Sequence, residues 1–124
     1  WSTTPYVYTP PAKLLALPPA GTEPRVLFVG RLEYRKGVLE LARAIPAVLR
    51  RHPSARFVFA GPALPRAGGR GDTMDELRQL LRAQAAQVEF TGPLDAAAVE
   101  RELSRASIAV FPSRWENFPN VCLE

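Results

Sequence analysis

The sequence predicts an α/β domain built on a doubly wound parallel sheet. Three observations lead to this prediction. Short apolar runs alternate with amphipathic stretches, the runs stay apolar along their length, and the first three end in glycine. Continuously apolar strands are typical of parallel sheets, because helices cover both faces. With 124 residues, 47% of them hydrophobic, the chain can form one domain with a substantial core.

Four segments have the composition of buried strands. They are rich in β-branched and aromatic residues, and turn residues follow them. The expected strands are residues 25–30, 56–61, 87–92 and 107–112.

An amphipathic stretch follows each of the first three strands, and a fourth begins at the end of the chain. The expected helices are residues 37–51, 72–84, 96–106 and 120–124. Asp95 precedes the third helix and can cap it, because its carboxylate can accept from free N–H groups of the first turn. Pro46 lies inside the first helix and is expected to kink it, since proline removes one backbone hydrogen bond.

The composition outside these elements sets the expected boundaries. Residues 1–24 hold six of the thirteen prolines and are predicted to be a stiff linker or strap before the domain at 25–124. Because the last helix is only begun at Glu124, we expect an excised fragment, truncated at its carboxyl end. Cys122 is the single cysteine, so no internal disulfide forms, and no apolar stretch is long enough to span a membrane.

The net charge is +4, and the basic excess is mostly arginine. This suggests an anionic ligand but does not distinguish a nucleotide from a nucleic acid or a membrane, and from the charge alone a generic basic surface is the favoured explanation. Ligands of doubly wound sheets bind beyond the carboxyl ends of the strands. The loops that follow the strands are therefore the candidate sites.

The first of these loops, "GRLEYRKG", concentrates positive charge. Arg31, Arg35 and Lys36 lie just before the first helix, where the helix dipole disfavours cations, and we take Glu33 as the only acid nearby. An anion-binding loop and a solvated basic loop remain open here. Gly30 and Gly37 are expected to let the backbone approach an anion closely. The loop contains neither of the common glycine-rich phosphate motifs.

The end of the chain, "SRWENFPNVCLE", carries Glu116 and Glu124 eight positions apart. If a helix starts between them, they can contact two parts of one extended ligand but not one atom. With nine glutamates in the chain, such a pair also arises by chance.

The ordered segments "VGR", "RKG", "AG", "FTG", "AVFPS" and "ENFPNVCLE" resemble the carboxyl-terminal, donor-binding lobe of retaining glycosyltransferases of the GT-B architecture. These enzymes, of the glycosyl transferases group 1 or family 4 type, have two facing Rossmann-like lobes. The resemblance covers residues 25–124 and implies a hexosyltransferase.

The resemblance implies roles for individual residues. Arg31 and Lys36 would bind the donor diphosphate and stabilise the leaving phosphate, and Glu116 would hold hydroxyls of the transferred sugar. Glu124 would accept both ribose hydroxyls. The remaining donor-binding positions border the base or supply backbone groups: Gly30, Pro93, Leu94, Asn117, Phe118, Asn120 and Val121.

The sequence departs from the family pattern at Pro119, where many relatives carry glycine. Proline has no backbone N–H, so one expected donor is absent there or is replaced by Asn120. Arg114 is interpreted as a surface charge, although an anion contact is the alternative. The chain contains no D-x-D triplet, so we expect no metal site, and no cofactor is expected because the nucleotide-sugar is a substrate.

The expected partners are a UDP-, GDP- or ADP-sugar and an acceptor sugar, lipid or small molecule held by a second, amino-terminal lobe. No nucleic acid is expected. The isolated fragment should bind the donor weakly and transfer nothing. A cytoplasmic location is expected, with peripheral association at the inner face of a membrane left open. Two alternatives remain: a nucleotide-sugar epimerase or hydrolase of the same fold, and a non-enzymatic α/β module that binds anions.

Overall fold

A computed structural model describes residues 23–63 and 73–114. The strands of this part of the chain are β1 (Arg25–Val29), β2 (Arg56–Ala60), β3 (Val88–Gly92) and β4 (Ile108–Ala109). The α-helices are α1 (Val38–Arg51), α2 (Thr73–Leu80) and α3 (Ala96–Arg105). Two 3₁₀ segments complete it, at Tyr34–Lys36 and Arg82–Gln87. None of the helices in these two ranges combines the length and the apolar composition needed to cross a membrane.

The four strands form one parallel sheet in the order β3-β2-β1-β4. The chain adds β2 and β3 on one side of β1, and α3 then carries it back to the other side. This reversal is the defining feature of a doubly wound sheet, and it opens a crevice between the carboxyl ends of β1 and β4. The predicted fold class is confirmed.

Side chains of alternate strand residues form a core on each face of the sheet. Phe28, Phe57 and Phe59 pack with α1 and α2 on one face, and the Phe28 and Phe59 rings lie 6.1 Å apart. Leu27 and Val58 point to the other face, where Leu103 and Ala106 of α3 and its C-cap pack on them. The prediction of helices on both faces is therefore confirmed, with the larger core under α1 and α2.

The helices agree with the predicted pattern but differ at their ends. Asp95 caps α3, because its Oδ1 accepts from the Ala98 N–H at 2.8 Å. The α1 helix continues through Pro46, and the kink expected there stays a prediction. The α2 helix ends four residues early, at Leu80, and the chain continues as a 3₁₀ segment in which Gln84 is non-helical.

The fourth strand is shorter and more exposed than predicted. Only Ile108 and Ala109 pair with β1, although the Ser107 and Val110 N–H groups extend the ladder with bonds of 2.8 and 2.9 Å to β1 carbonyls. The Ile108 side chain is 55% exposed, so the expectation that both faces of every strand are covered is wrong here. Within the described residues, β4 lies at an edge of the sheet and has β1 as its one neighbouring strand.

The glycines that end the first three strands draw the carboxyl edge of the sheet together. The Gly30 N–H donates to the Ala60 carbonyl at 2.9 Å, and the Gly61 N–H donates to the Gly92 carbonyl at 3.1 Å. Gly61 has φ +148°, and a Cβ on it would lie 1.8 Å from the Gly30 carbonyl oxygen. A side chain at this position would therefore separate the loops that leave β1 and β2.

Candidate anion-binding site at the carboxyl edge of the sheet

The candidate site lies where the loop after β1 meets the chain after β4. We name residues 30–37 the basic loop and residues 110–114 the exit segment. Because β1 and β4 are neighbours, these two segments leave the sheet at the same edge and at the point where strand order reverses. This is the place where doubly wound sheets bind their ligands.

The basic loop holds three cations against one carboxylate. Its Tyr34–Lys36 portion is a 3₁₀ turn that ends at Gly37, and α1 follows without a side-chain cap. Arg35 donates to Glu33 Oε1 at 3.1 Å, and the Arg31 guanidinium lies 3.5 Å from the same oxygen. One carboxylate cannot balance three cations, so the loop carries net positive charge just ahead of a helix amino terminus.

The three cations of the loop differ in exposure. The Arg31 side chain is 53% exposed and reaches solvent, whereas Arg35 is 24% exposed and held against Glu33. Lys36 is half-buried at the end of the 3₁₀ turn. Arg31 is consequently the loop cation most accessible to an incoming anion.

Gly37 brings the basic loop into backbone contact with the exit segment. It is buried, has φ +73°, and a Cβ on it would lie 1.9 Å from the Pro112 carbonyl oxygen. Pro112 occupies the space that a side chain on Gly37 would need, and the expectation that Gly30 and Gly37 let the backbone approach an anion stays a prediction. In the same way, the carbonyl oxygen of Gly30 occupies the space that a side chain on Gly61 would need.

Arg114 joins the exit segment to the basic loop and to α1. Its backbone N–H donates to the Arg35 carbonyl at 2.8 Å. Its guanidinium lies 4.2 Å from the centre of the Tyr34 ring, and its Nε and Nη2 both donate to Glu40 Oε1. The interpretation of Arg114 as a plain surface charge is therefore incomplete, because the side chain bridges segments 74 positions apart in sequence.

Glu40 is a second acid near the loop, so the expectation that Glu33 stands alone is wrong. It lies in the first turn of α1, where the helix dipole favours a negative charge. Its Oε1 takes both Arg114 donors, while its Oε2 is buried and receives no hydrogen bond from the described residues. Because the charges of Glu40 and Arg114 neutralise each other, this pair leaves the net positive charge of the basic loop unchanged.

The Glu40 carboxyl predicts a pH-dependent contribution to stability. The hydrogen bond from Arg114 holds the pKa of Glu40 below its ordinary value of 4.5, although partial burial opposes this. A carboxyl with a lowered folded-state pKa stabilises the fold above its unfolded pKa, and this stability is lost as pH falls through the folded pKa. We therefore expect the stability advantage of the wild type over Glu40→Gln to be small, because the pair is partly exposed, and to shrink as pH falls from above 4.5 to well below it.

Chemical denaturation of both proteins across this pH interval measures the difference. Glu100→Gln, a change at an exposed glutamate of α3, serves as the control. A difference between wild type and Glu40→Gln that stays constant with pH would contradict the role assigned to the ion pair.

The structure brings some of the predicted site residues together and leaves others outside the described residues. Gly30, Arg31 and Lys36 all lie on the basic loop. Pro93 is exposed at the same edge but beyond β2, and Leu94 packs on the Leu27 and Val58 cluster, so their predicted contact with a base stays a prediction. The predicted residues outside the described part of the chain are Glu116, Asn117, Phe118, Asn120, Val121 and Glu124.

Sequence reasoning missed the contacts that hold the two segments of the site together. Glu40 in the first turn of a helix was the one available signal, because an acid is favoured there whatever else it binds. Nothing in the local sequence indicates that Arg114 and Tyr34 are its neighbours, since that depends on β4 lying beside β1.

Comparison with known proteins gives evidence on the family of the chain, and this evidence does not depend on the geometry of the candidate site. The family model described as glycosyl transferases group 1 matches residues 23–124. The chain is 36% identical over 102 residues to an uncharacterized glycosyltransferase of Methanocaldococcus jannaschii, covering 82% of this chain and 24% of that protein. It is 39% identical over 102 residues to the glycogen synthase of Mycobacterium tuberculosis, covering 80% of this chain and 22% of that protein.

A solved structure shows the same fold. The C-terminal domain of a glycosyl transferase group 1 family protein from Francisella tularensis superposes with a TM-score of 0.67 at 23% identity, covering 81% of this chain and 51% of that one. The chain spans about a quarter of the length of the curated relatives named above. Because the family model matches most of the sequence, the chain belongs to the glycosyl transferases group 1 family.

Proposed function

We propose that the chain is the carboxyl-terminal, donor-binding lobe of a retaining glycosyltransferase, and that it binds the diphosphate of a nucleotide-sugar at the basic loop, beside the exit segment. The observation that carries this proposal is the strand order, which places three loop cations and the chain leading towards Glu116 at one sheet edge. A site assembled at the switch point of a doubly wound sheet is suited to an extended phosphorylated ligand.

The chemistry of the proposed reaction explains the residue types. The bond between the anomeric carbon and a phosphate oxygen breaks, so negative charge develops on that oxygen as it departs. Cations that are already in place, such as Arg31 and Lys36, stabilise the transition state, in which this charge develops, more strongly than they stabilise the ground state. The acceptor oxygen bonds to the anomeric carbon from the same face, and its proton passes to the departing phosphate.

The proposal extends to the parts of the reaction that depend on other regions. The acceptor, a sugar, lipid or small molecule, would bind to a second lobe, and the transferred group would be a hexose. We propose that the reaction needs no divalent metal, because the sequence has no D-x-D triplet and the loop cations can take over charge neutralisation. We propose that the glycosyl transfer takes place in the cytoplasm. Family membership favours transfer over the epimerase or hydrolase alternative.

Calorimetric titration of the folded chain with UDP, GDP and ADP tests the proposal. We expect weak binding of at least one of the three, reduced by added salt because screening weakens exposed ion contacts. Uridine, guanosine and adenosine serve as controls that lack the diphosphate. No heat from any of the three nucleotides would contradict the donor-lobe assignment. Tight binding of a long polyanion that UDP, GDP and ADP fail to displace would favour the non-enzymatic, nucleic-acid-binding alternative.

A further inference from the structure

A groove lies beside β3, the outer strand on the side of the sheet opposite β4. Among the described residues, β3 has β2 as its one neighbouring strand. An edge strand presents backbone N–H and C=O groups that no neighbouring strand pairs with, and another peptide can bond to them. The outer side of β3 is therefore a place where a further strand can add to the sheet.

The groove is lined mainly by apolar side chains. Val88 and Phe90 of β3 line it together with Leu81 and Ala85, and its volume is about 370 Å³. The rings of Phe90 and Phe59 stack with their centres 5.2 Å apart, so the groove continues the larger core outwards. Because Leu81 is buried, the apolar surface is recessed and is suited to receive side chains rather than to enter a lipid bilayer.

Two exposed arginines line the same groove. Arg78 lies in the last turn of α2, and Arg82 follows four positions later at the start of the 3₁₀ segment. Within residues 23–63 and 73–114, neither side chain forms an ion pair or a hydrogen bond. Arginine can lay its aliphatic stem along an apolar surface while its guanidinium stays in water. The groove is thus apolar inside and positively charged at its rim.

The two faces of β3 differ in charge. Successive side chains of a strand point to opposite faces, so Glu89 lies on the face away from Val88 and Phe90. Its carboxylate is 58% exposed and accepts a hydrogen bond from Arg25 at 3.2 Å. An acidic side chain on an added strand is therefore favoured on the groove face and disfavoured beside Glu89.

The charge of the rim also distinguishes between partners. Two copies of this chain paired through β3 would bring the arginines of both rims together, and like charges disfavour such an interface. A nucleic acid backbone would match the arginines but would leave the apolar lining unused. A peptide that has apolar and acidic side chains on one face matches both features of the groove.

We propose that β3 and its groove form a docking site for an extended segment of a partner protein. The segment adds as a strand beside β3, and its groove-facing side chains are apolar against Leu81 and Phe90 and acidic against Arg78 and Arg82. The inference does not depend on the proposed function, because β2 separates β3 from β1 and its basic loop.

A labelled synthetic peptide of sequence TLTETLTET tests the proposal by fluorescence anisotropy. In an extended strand its threonines lie on one face, and its leucines and glutamates lie on the other. The control peptide has lysine in place of glutamate. We expect the 124-residue chain to bind the glutamate peptide about tenfold or more tighter, because the lysine peptide exchanges two exposed ion pairs for repulsion.

Three variants locate the bound peptide. Arg78→Glu combined with Arg82→Glu should reverse the preference, so that the lysine peptide binds more tightly. Ala85→Trp fills the groove without changing its charge and should weaken the glutamate peptide about tenfold or more. Arg50→Glu combined with Arg101→Glu makes the same change in net charge at exposed positions of α1 and α3, and it should keep the wild-type preference. Circular dichroism shows whether each variant is folded, and Ala85→Trp decides if the double reversal does not fold.

Amide hydrogen exchange tests whether the peptide adds as a strand. Saturation with the glutamate peptide should slow exchange at those β3 amides that point away from β2, because the added backbone would accept their hydrogen bonds. Unchanged exchange at these amides would overturn strand addition. Protection of the same amides in the free monomer would show that this chain covers its own edge, and it would also overturn the proposal.

The remaining outcomes name other occupants. Equal affinity for the two peptides, or no binding of either, overturns the proposal. A dimer in sedimentation velocity that Ala85→Trp abolishes would make a second copy the occupant. Binding to phosphatidylglycerol vesicles that the double reversal abolishes, without any peptide binding, would make the site a lipid contact. Each of these results overturns the inference and leaves the donor-lobe proposal in place.

Discussion

Replacing Gly37 by alanine is expected to lower the free energy of unfolding by about 2–4 kcal/mol, among the larger effects of a single substitution. Two costs combine. Gly37 has φ +73°, a conformation that costs an L-residue roughly 1–2 kcal/mol, and the new Cβ would lie 1.9 Å from the Pro112 carbonyl oxygen. A backbone carbonyl cannot rotate away as a side chain can, so either the basic loop or the exit segment must move.

The chain offers a matched control for this prediction. Gly92 also has φ +73°, but a Cβ on it would meet nothing within 4 Å. Gly92→Ala should therefore cost only the conformational part, roughly 1–2 kcal/mol. Chemical denaturation of the two variants measures the difference, which isolates the contact between the loop and Pro112. Equal destabilisation by the two substitutions would show that this contact carries no energy.

The Gly37 variant also has a predicted functional consequence. If the exit segment moves, the loop cations keep their side chains but lose their alignment with the exit segment. We expect Gly37→Ala to lose nucleotide affinity even under conditions where the protein remains folded. Gly92→Ala, measured by the same titration, should retain more of it.

Replacing both Arg31 and Lys36 by methionine is expected to weaken nucleoside diphosphate binding by about 100-fold or more. Hydrogen bonds to charged groups contribute about 1.5–3 kcal/mol each, and each 1.4 kcal/mol is a factor of ten in affinity. Methionine keeps much of the length of the aliphatic part and removes the charge. The Arg31 part of the change should affect stability little, because Arg31 is 53% exposed and its ion pair with Glu33 is long, at 3.5 Å.

Arg50→Met is the control for the double variant. Arg50 lies in the last turn of α1, at the opposite end of a 14-residue helix from the basic loop, and it is exposed. It changes the net charge without touching the candidate site. Titration calorimetry of the three proteins at one ionic strength compares their affinities. If Arg50→Met weakens binding per charge as much as the double variant does, the ligand responds to overall charge and the loop is not its site.

Sequence reasoning reached the fold because the relevant signals are local. The apolar runs at 25–30, 56–61 and 87–92 correspond to β1, β2 and β3 within one or two residues, and Asp95 caps α3 as predicted. These features depend on neighbours a few positions away. Pro46 lies inside α1 next to Ile45, which is fully buried in the core, and the kink expected there stays a prediction.

The candidate site was predictable only in part. The clustering of Arg31, Arg35 and Lys36 after a strand is visible in the sequence, and the parallel sheet places that cluster at the carboxyl edge. The close contact between Gly37 and Pro112 was not predictable from the sequence. A loop glycine gives the same sequence pattern whether it contacts a ligand or another part of the chain. The roles of Glu116 and Glu124 stay predictions, since both lie outside the described residues.

By itself, the sequence determined the fold class, the order of the elements, the family and the charge of the first loop. Each of these depends on the types of residues that lie close together in sequence. Only the tertiary structure decided which loops touch. Arg114 meets Glu40 across 74 positions because α3 returns the chain to the free side of β1 and makes β4 its neighbour. Contacts of this kind follow from strand order, and strand order is settled by the packing of the whole sheet rather than by any local pattern.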